Sequence, residues 1–261
     1  MEKKDFLTGS KILNAALALI SQLPQKPCLK IAEQSIFDRL ELIEEAFLQS
    51  KGINKKLKTC FKSYRVLLKD IREVNKNDDI QVTLKNLTTQ FKGLLEMIIS
   101  EIQEVLGKPP VKWACMGMGS MSRDEMCPYS DVEFAFVIEK ETEKAMDYFR
   151  TLSQILELRI INLGETKFLI FGDQYASPTP DGFCMDTAGN TPLGVKDVYE
   201  LIGTPKTLAK FQEVKWMDQG IILPNAMSHV CFVAGKESLV DNYNKEKAKT
   251  QKLTDNKSNN T

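Results

Sequence analysis

The chain has a single histidine, His229, in 261 residues. Its six cysteines, Cys28, Cys60, Cys115, Cys127, Cys184 and Cys231, form no C-x-x-C pair. A structural zinc site needs clustered Cys and His, so this scatter argues against one. A lone histidine is most often structural, and His229 receives no catalytic role. Cysteines in apolar settings such as Trp113-Ala-Cys-Met read as reduced core residues, which points to a cytoplasmic protein. No run of about 18 apolar residues is present, so no membrane span is predicted. The first residues, Met1-Glu-Lys-Lys-Asp-Phe, lack the long apolar stretch and small-residue cleavage site of a secretory signal. Net charge is lacking too, with 35 basic residues against 35 acidic ones. There is no global basic field of the kind that gathers nucleic acid, so nucleic acid is a disfavoured partner. An acidic substrate would have to be held by local charges or by a metal. No internal repeat is found.

What is present is an ordinary core-forming composition, 43% hydrophobic. The first hundred or so residues carry helical periodicity. The apolar stretch from Ile12 to Leu23 reads as a buried helix. Ser35 to Ser50 has Ile36, Leu40, Ile43 and Phe47 at helical spacing, with Ser35 and Asp38 as a capped start. Lys55 to Val74 and Val82 to Leu106 repeat the pattern, and Gly107-Lys-Pro-Pro stops the last of them. The texture changes at Val111. Lys112 to Gly119 reads as a buried strand and a turn, and Asp131 to Glu139 as a second strand. Glu141 to Leu158 reads as a helix. Lys167 to Gly172 and Gly182 to Asp186 read as further strands. Asp197 to Ile202, Pro205 to Phe211 and Lys236 to Tyr243 read as short helices. The polar residues from Lys245 to Thr261 read as a disordered tail or a linker.

The chemistry concentrates between Gly117 and Glu133. In the second strand, side chains alternate between faces. Val132, Phe134, Phe136 and Ile138 share one face, and Asp131, Glu133, Ala135 and Val137 share the other. Two carboxylates therefore stand side by side where a buried strand begins. Crowding like charges there is costly, and a divalent cation removes the cost. Mg²⁺ is usually held by one or two carboxylates together with substrate phosphates. Upstream, Gly117 and Gly119 follow a strand, and Ser120 sits where a helix can start. Glycine permits the positive φ and close approach that a phosphate-cradling turn needs, and a helix start offers N–H groups to an anion. Ser120 adds a hydroxyl, and Arg123 a fork of donors one turn on. Glu125 is either a further ligand or, in the favoured reading, a carboxylate that bonds backbone N–H groups and fixes the loop.

The segment Gly119-Ser120, Arg123-Asp-Glu125-Met-Cys-Pro128-Tyr-Ser130-Asp131-Val-Glu133 resembles the active-site signature of polymerase-beta-type nucleotidyltransferases: Gly-Ser, a short helix, then Asp-x-Asp or Asp-x-Glu. It is most similar to the uridylyltransferase of the signalling protein PII and the adenylyltransferase of glutamine synthetase. Arg123, Glu125, Pro128, Tyr129, Ser130 and Asp131 match that pattern, while Glu133 stands where the uridylyltransferase has Asp. The resemblance covers roughly residues 110 to 190 and is looser to about Asp241. It implies an α+β fold, with a helical region over residues 1–108, a nucleotidyltransferase-like mixed sheet flanked by helices over 109–244, and a tail over 245–261.

The same resemblance implies a mechanism with two Mg²⁺ ions held by Asp131, Glu133 and a third acid on a later strand. Asp186 is the best match for that acid, with Asp173 and Asp181 as rivals. Gly119, Ser120, Arg123 and Ser130 would bind the nucleoside triphosphate, ATP or UTP. The implied acceptor is a hydroxyl group on a protein. Two other readings stay open: a homologue that binds nucleotide as a sensor without transfer, and an interaction module in which the helical region does the work. If the fold is of this type, the Asp186 carboxyl should lie about 4–6 Å from both Asp131 and Glu133, given the spacing of paired metal ions.

Overall fold

The computed structural model describes residues 3–21, 23–24, 26–59, 61–73, 79–128, 130, 132–163, 201–213 and 223–258. The first part is helical, as the periodicity predicts. Helix α1 spans Lys3–Ser21 and α2 spans Pro27–Ser50. The start of α2 lies eight residues before the expected Ser35. Pro27 occupies its first turn, where a missing N–H costs nothing and the fixed φ suits the helix. Helix α1 is half-buried, not buried all round. Leu17 packs inward, while Ile12 and Leu19 are exposed.

Helix α3 covers Phe61–Glu73, so the expected start at Lys55 is too early. Residues 53–59 stay irregular, and Thr59 gives its backbone N–H and C=O to buried charges instead of to a helix. Helix α4 runs Ile80–Leu106. The Asp79 carboxylate caps it by accepting from the Gln81 N–H at 2.9 Å, and Gly107 ends it at φ +84°. Its stripe of Leu87, Phe91, Leu94, Leu95, Ile98 and Ile102 is fully buried.

Strands β1 (Trp113–Gly117) and β2 (Phe134–Ile138) form an antiparallel pair, with Trp113 opposite Ile138 and Gly117 opposite Phe134. Strand β3 (Ile202–Gly203) lies parallel to β2, and β4 (Cys231–Gly235) lies antiparallel to β1 across a bulge at Cys115/Met116. The sheet is mixed, in the order β3-β2-β1-β4. Helix α5 is the short Gly119–Ser122 turn, α6 spans Glu143–Asn162, α7 spans Pro205–Ala209, α8 spans Leu223–Ser228 and α9 spans Glu237–Ser258. The fold is α+β, as expected.

Alternation along β2 sorts the core into two layers, as the sequence pattern predicts. Val132, Phe134, Phe136 and Ile138 join Cys115 against α3, α4 and α6. Ala135 and Val137 join Ala114 and Met116 against Leu208 of α7, Met227 of α8 and Tyr243 of α9. Two expectations need correction, and one strand comes without a sequence expectation. Ile202, read as a helix end, is a strand residue, because its backbone pairs with Phe136 and its side chain fills the core beside β2. Cys231–Gly235, a short apolar run stopped by glycine, is the added strand. Residues 245–258 continue α9 and are not a disordered tail. Lys247 donates to the Ser228 carbonyl at 2.5 Å and Gln251 to Gln212 at 3.0 Å, so polar residues dock this helix. The strands expected at 167–172 and 182–186 lie outside the described residues.

Charge is buried between the helices. Arg159 of α6 is 1% exposed. Its guanidinium donates to Glu44 of α2 at 2.8 Å, to Glu101 of α4 at 3.1 Å and to the Thr59 carbonyl at 2.5 Å. Glu44 also accepts from Asn162 at 2.8 Å, and Glu101 from the Tyr64 hydroxyl at 3.0 Å. Burial pushes the Glu44 carboxyl above the usual carboxylate range while Arg159 pulls it down. Burial, then the neighbouring Glu101 charge, push Tyr64 up to about 12. Two carboxylates share one guanidinium, so losing it strands both. Arg159→Met should cost about 3–5 kcal/mol in denaturant unfolding. A loss below about 1 kcal/mol would show that the network carries little of the fold's stability.

Candidate active site

The site expected from the sequence lies at the end of the sheet where β1 stops and β2 starts. Antiparallel pairing brings these two ends together, with Gly117 facing Phe134. One more bond, from the Met118 N–H to the Glu133 carbonyl at 2.9 Å, extends the ladder past the strands. The chain then turns sharply at Gly119, where φ is +56°. It winds through α5, whose Ser120 carbonyl accepts from the N–H groups of both Arg123 and Glu125, at 3.2 and 3.0 Å. Asp124 takes the left-handed conformation that ends this turn, a role Asp tolerates better than most residues.

Two glycines here meet side chains where a Cβ would go. A Cβ on Gly119 would stand 1.9 Å from an oxygen of the Glu133 carboxylate. That carboxylate therefore occupies the space a side chain would fill, directly over the turn. A Cβ on Gly117 would stand 2.5 Å from the Met121 sulfur and 3.0 Å from the Cys231 sulfur. A side chain at Gly117 would therefore need Met121 to shift, whereas at Gly119 the positive φ itself favours glycine. Gly119, Ser120 and Glu133, three of the residues picked from the sequence, are thus brought together. Glu133 and Ser120 are half-buried and Gly119 is buried.

Arg123 follows one turn on, exposed, with its Nε donating to Glu125 at 2.7 Å. The Glu125 carboxylate thus pairs with Arg123, whereas the expectation was a bond to backbone N–H groups. Ser130 is half-buried and closes a local turn. Its hydroxyl accepts from the Cys127 N–H at 2.8 Å, and its own N–H donates to the Cys127 carbonyl at 3.1 Å. Ser130 shapes the loop into β2 in this state. Asp131 and Asp186, and the rivals Asp173 and Asp181, lie outside the described residues.

Two residues of α4 that carry no sequence signal also reach this loop. The Thr88 hydroxyl accepts from the Met126 N–H at 3.2 Å, and Lys92 lies 3.5 Å from Asp124. Burial pushes the Cys231 thiol up, against the pull of the nearby Lys92 charge. His229 is exposed and bonds Ser228 at 2.9 Å, apart from this loop in the hydrogen-bond pattern.

The donor chemistry can be compared with Mg²⁺. Among the described residues no group of three His, Cys, Asp or Glu side chains is placed to hold a metal. Glu133 supplies a hard oxygen ligand at a half-buried position, and the missing Cβ of Gly119 leaves the room it occupies.

A mixed four-stranded sheet flanked by helices is consistent with a nucleotidyltransferase-like fold. Residues 69–167 match the family model described as "Putative nucleotidyltransferase DUF294". The match starts in α3, takes in α4, β1, α5 and β2, and runs just past α6. This region is therefore nucleotidyltransferase-like. A comparison with curated proteins finds no match. Among the described residues no helix is long and apolar enough to cross a membrane.

The Gly119–Glu133 contact yields a test. Gly119→Ala should destabilise the fold by at least about 1 kcal/mol, since an L-residue at positive φ costs roughly that before any clash. In a Glu133→Ala background the penalty should shrink, with a coupling above about 0.5 kcal/mol in a double-mutant cycle of thermal unfolding. Additive effects would mean that the carboxylate does not sit over the turn.

Proposed function

We propose that this chain is a Mg²⁺-dependent nucleotidyltransferase that moves AMP or UMP from a nucleoside triphosphate to a hydroxyl group on a protein and releases pyrophosphate. The observation that carries the reading is the Glu133 carboxylate held over the Gly119-Ser120 turn, inside the region that matches nucleotidyltransferases. A triphosphate brings negative charge to that turn. Ser120 would donate its hydroxyl to a phosphate oxygen. Arg123 is held by Glu125 at the surface, and exposed pairs of that kind are worth little. A phosphate with several negative oxygens can therefore draw the guanidinium away.

Asp131 and Glu133 are the residues that would hold Mg²⁺, with Asp186 completing the set. When bound, the ions supply charge neutralisation of the triphosphate and lower the pKa of the acceptor hydroxyl. Asp186 takes the acceptor's proton. The acceptor oxygen then bonds to the α-phosphorus as the bond from that phosphorus to the bridging oxygen breaks, and pyrophosphate carries the electron pair away. The balanced charge of the chain, 35 against 35, favours a protein over RNA as acceptor. The scattered, unpaired cysteine pattern supports a cytoplasmic setting. Residues 109–244 would form the catalytic unit, supported on the helical region before it.

The test uses α-labelled ATP and UTP, Mg²⁺ and a cell lysate. The wild-type chain should label a protein from one of the two triphosphates. Asp131→Ala should abolish labelling while melting at or above the parent temperature without Mg²⁺, because one of two crowded carboxylates is gone. Ser120→Ala with Arg123→Ala should weaken triphosphate binding by calorimetry and leave the metal-free fold intact. Labelling by Asp131→Ala at the wild-type level would exclude the mechanism.

A further inference from the structure

Helix α4 does more than fill the core. Thr88 and Lys92 stand one helical turn apart on the same face of α4, where residues at i and i+4 are neighbours. Both reach the loop that joins α5 to β2. The Thr88 side chain is fully buried. Its hydroxyl donates to the Leu84 carbonyl at 2.8 Å and accepts from the Met126 N–H at 3.2 Å. A hydroxyl has one proton to give, so the two contacts fix each other's roles. Met126 is itself fully buried, and its N–H would be stranded without that acceptor. Four residues along the helix, the Lys92 ammonium meets the carboxylate of Asp124 at 3.5 Å, the residue held at φ +56°. Met121, Met126 and Val132 pack in the same core layer as Leu87, Phe91 and Leu95 of α4. The loop carrying Arg123 and Ser130 is therefore tied to α4 at two points by side chains outside the sequence motif.

We propose that Thr88 and Lys92 are positioning residues: they fix residues 123–128 so that Arg123 and the start of β2 are presented to substrate. The nucleotide part of this inference rests on the transferase reading; the structural part does not. Thr88→Val keeps the shape and deletes the hydroxyl, and Thr88→Ser keeps the hydroxyl.

Two readouts on the full chain separate the possibilities: hydrogen exchange of the Met126 amide, and calorimetric affinity for Mg²⁺ with ATP or UTP. Thr88→Val should speed Met126 exchange and weaken triphosphate binding, each by about tenfold, the size expected for one lost hydrogen bond. Thr88→Ser should restore both. Lys92→Gln should weaken triphosphate binding with an unchanged melting temperature, and it carries the test if Thr88→Val does not fold. Wild-type exchange and affinity in Thr88→Val, or equal losses in the valine and serine variants, would overturn the proposal. A wild-type chain that binds neither triphosphate would remove the transferase reading, and Met126 exchange alone would then decide whether Thr88 fixes the loop.

Discussion

One buried guanidinium organises the helical half of this molecule. Arg159 of α6 meets Glu44 of α2, Glu101 of α4 and the backbone of Thr59 at once. Apolar packing tolerates sliding of one helix along another; a planar fork with three partners does not. Desolvating these groups offsets much of what their pairing contributes, and the pairing ties α2 and α4 to α6 through one side chain. Helix α4 is thereby fixed at its Glu101 end. Nine residues earlier, at Lys92, and one turn before that, at Thr88, the same rigid helix supports the loop of the candidate site. One helix thus carries the charge cluster at Glu101 and the contacts to that loop at Thr88 and Lys92.

At the site itself, the governing constraint is space. The turn after β1 takes a positive φ at Gly119 and brings its backbone against the Glu133 carboxylate, where a side chain would otherwise stand. Under the proposed function a cation would offset this acid and the turn would admit the phosphates. The match to nucleotidyltransferases over residues 69–167 follows the same segment and includes α4, in keeping with α4 as part of the site's framework.

Much of this was legible in the sequence, and the exceptions have physical causes. The alternation in β2 gave both faces of the sheet, because period two is a direct consequence of the pleat. The long stripe of α4 and its Gly-Lys-Pro-Pro stop were equally plain. Helix starts were not. Pro27 reads as a breaker but sits where proline is welcome, and the residues before Phe61 extend the apolar stripe while Thr59 gives its backbone to buried charges. The polar stretch 245–258 lacks an apolar stripe and is held by Lys247 and Gln251 instead. At the site, Gly119, Ser120 and Glu133 were visible as a joint pattern, whereas Thr88 and Lys92 were not. Their partners lie 38 residues away for Thr88 and 32 for Lys92, and no local spacing announces such a contact.

The central claim is transfer, as distinct from nucleotide binding. The most direct measurement is the ratio of pyrophosphate released to label incorporated from the α-position of the triphosphate, with Mg²⁺ present and an acceptor supplied from lysate. Transfer predicts one pyrophosphate for each label incorporated, and no incorporation when the label is carried on the γ-phosphate. Triphosphate binding with neither pyrophosphate nor labelled acceptor would contradict it and leave a nucleotide sensor. Incorporation of label from the γ-position would assign the chemistry to a different phosphoryl transfer.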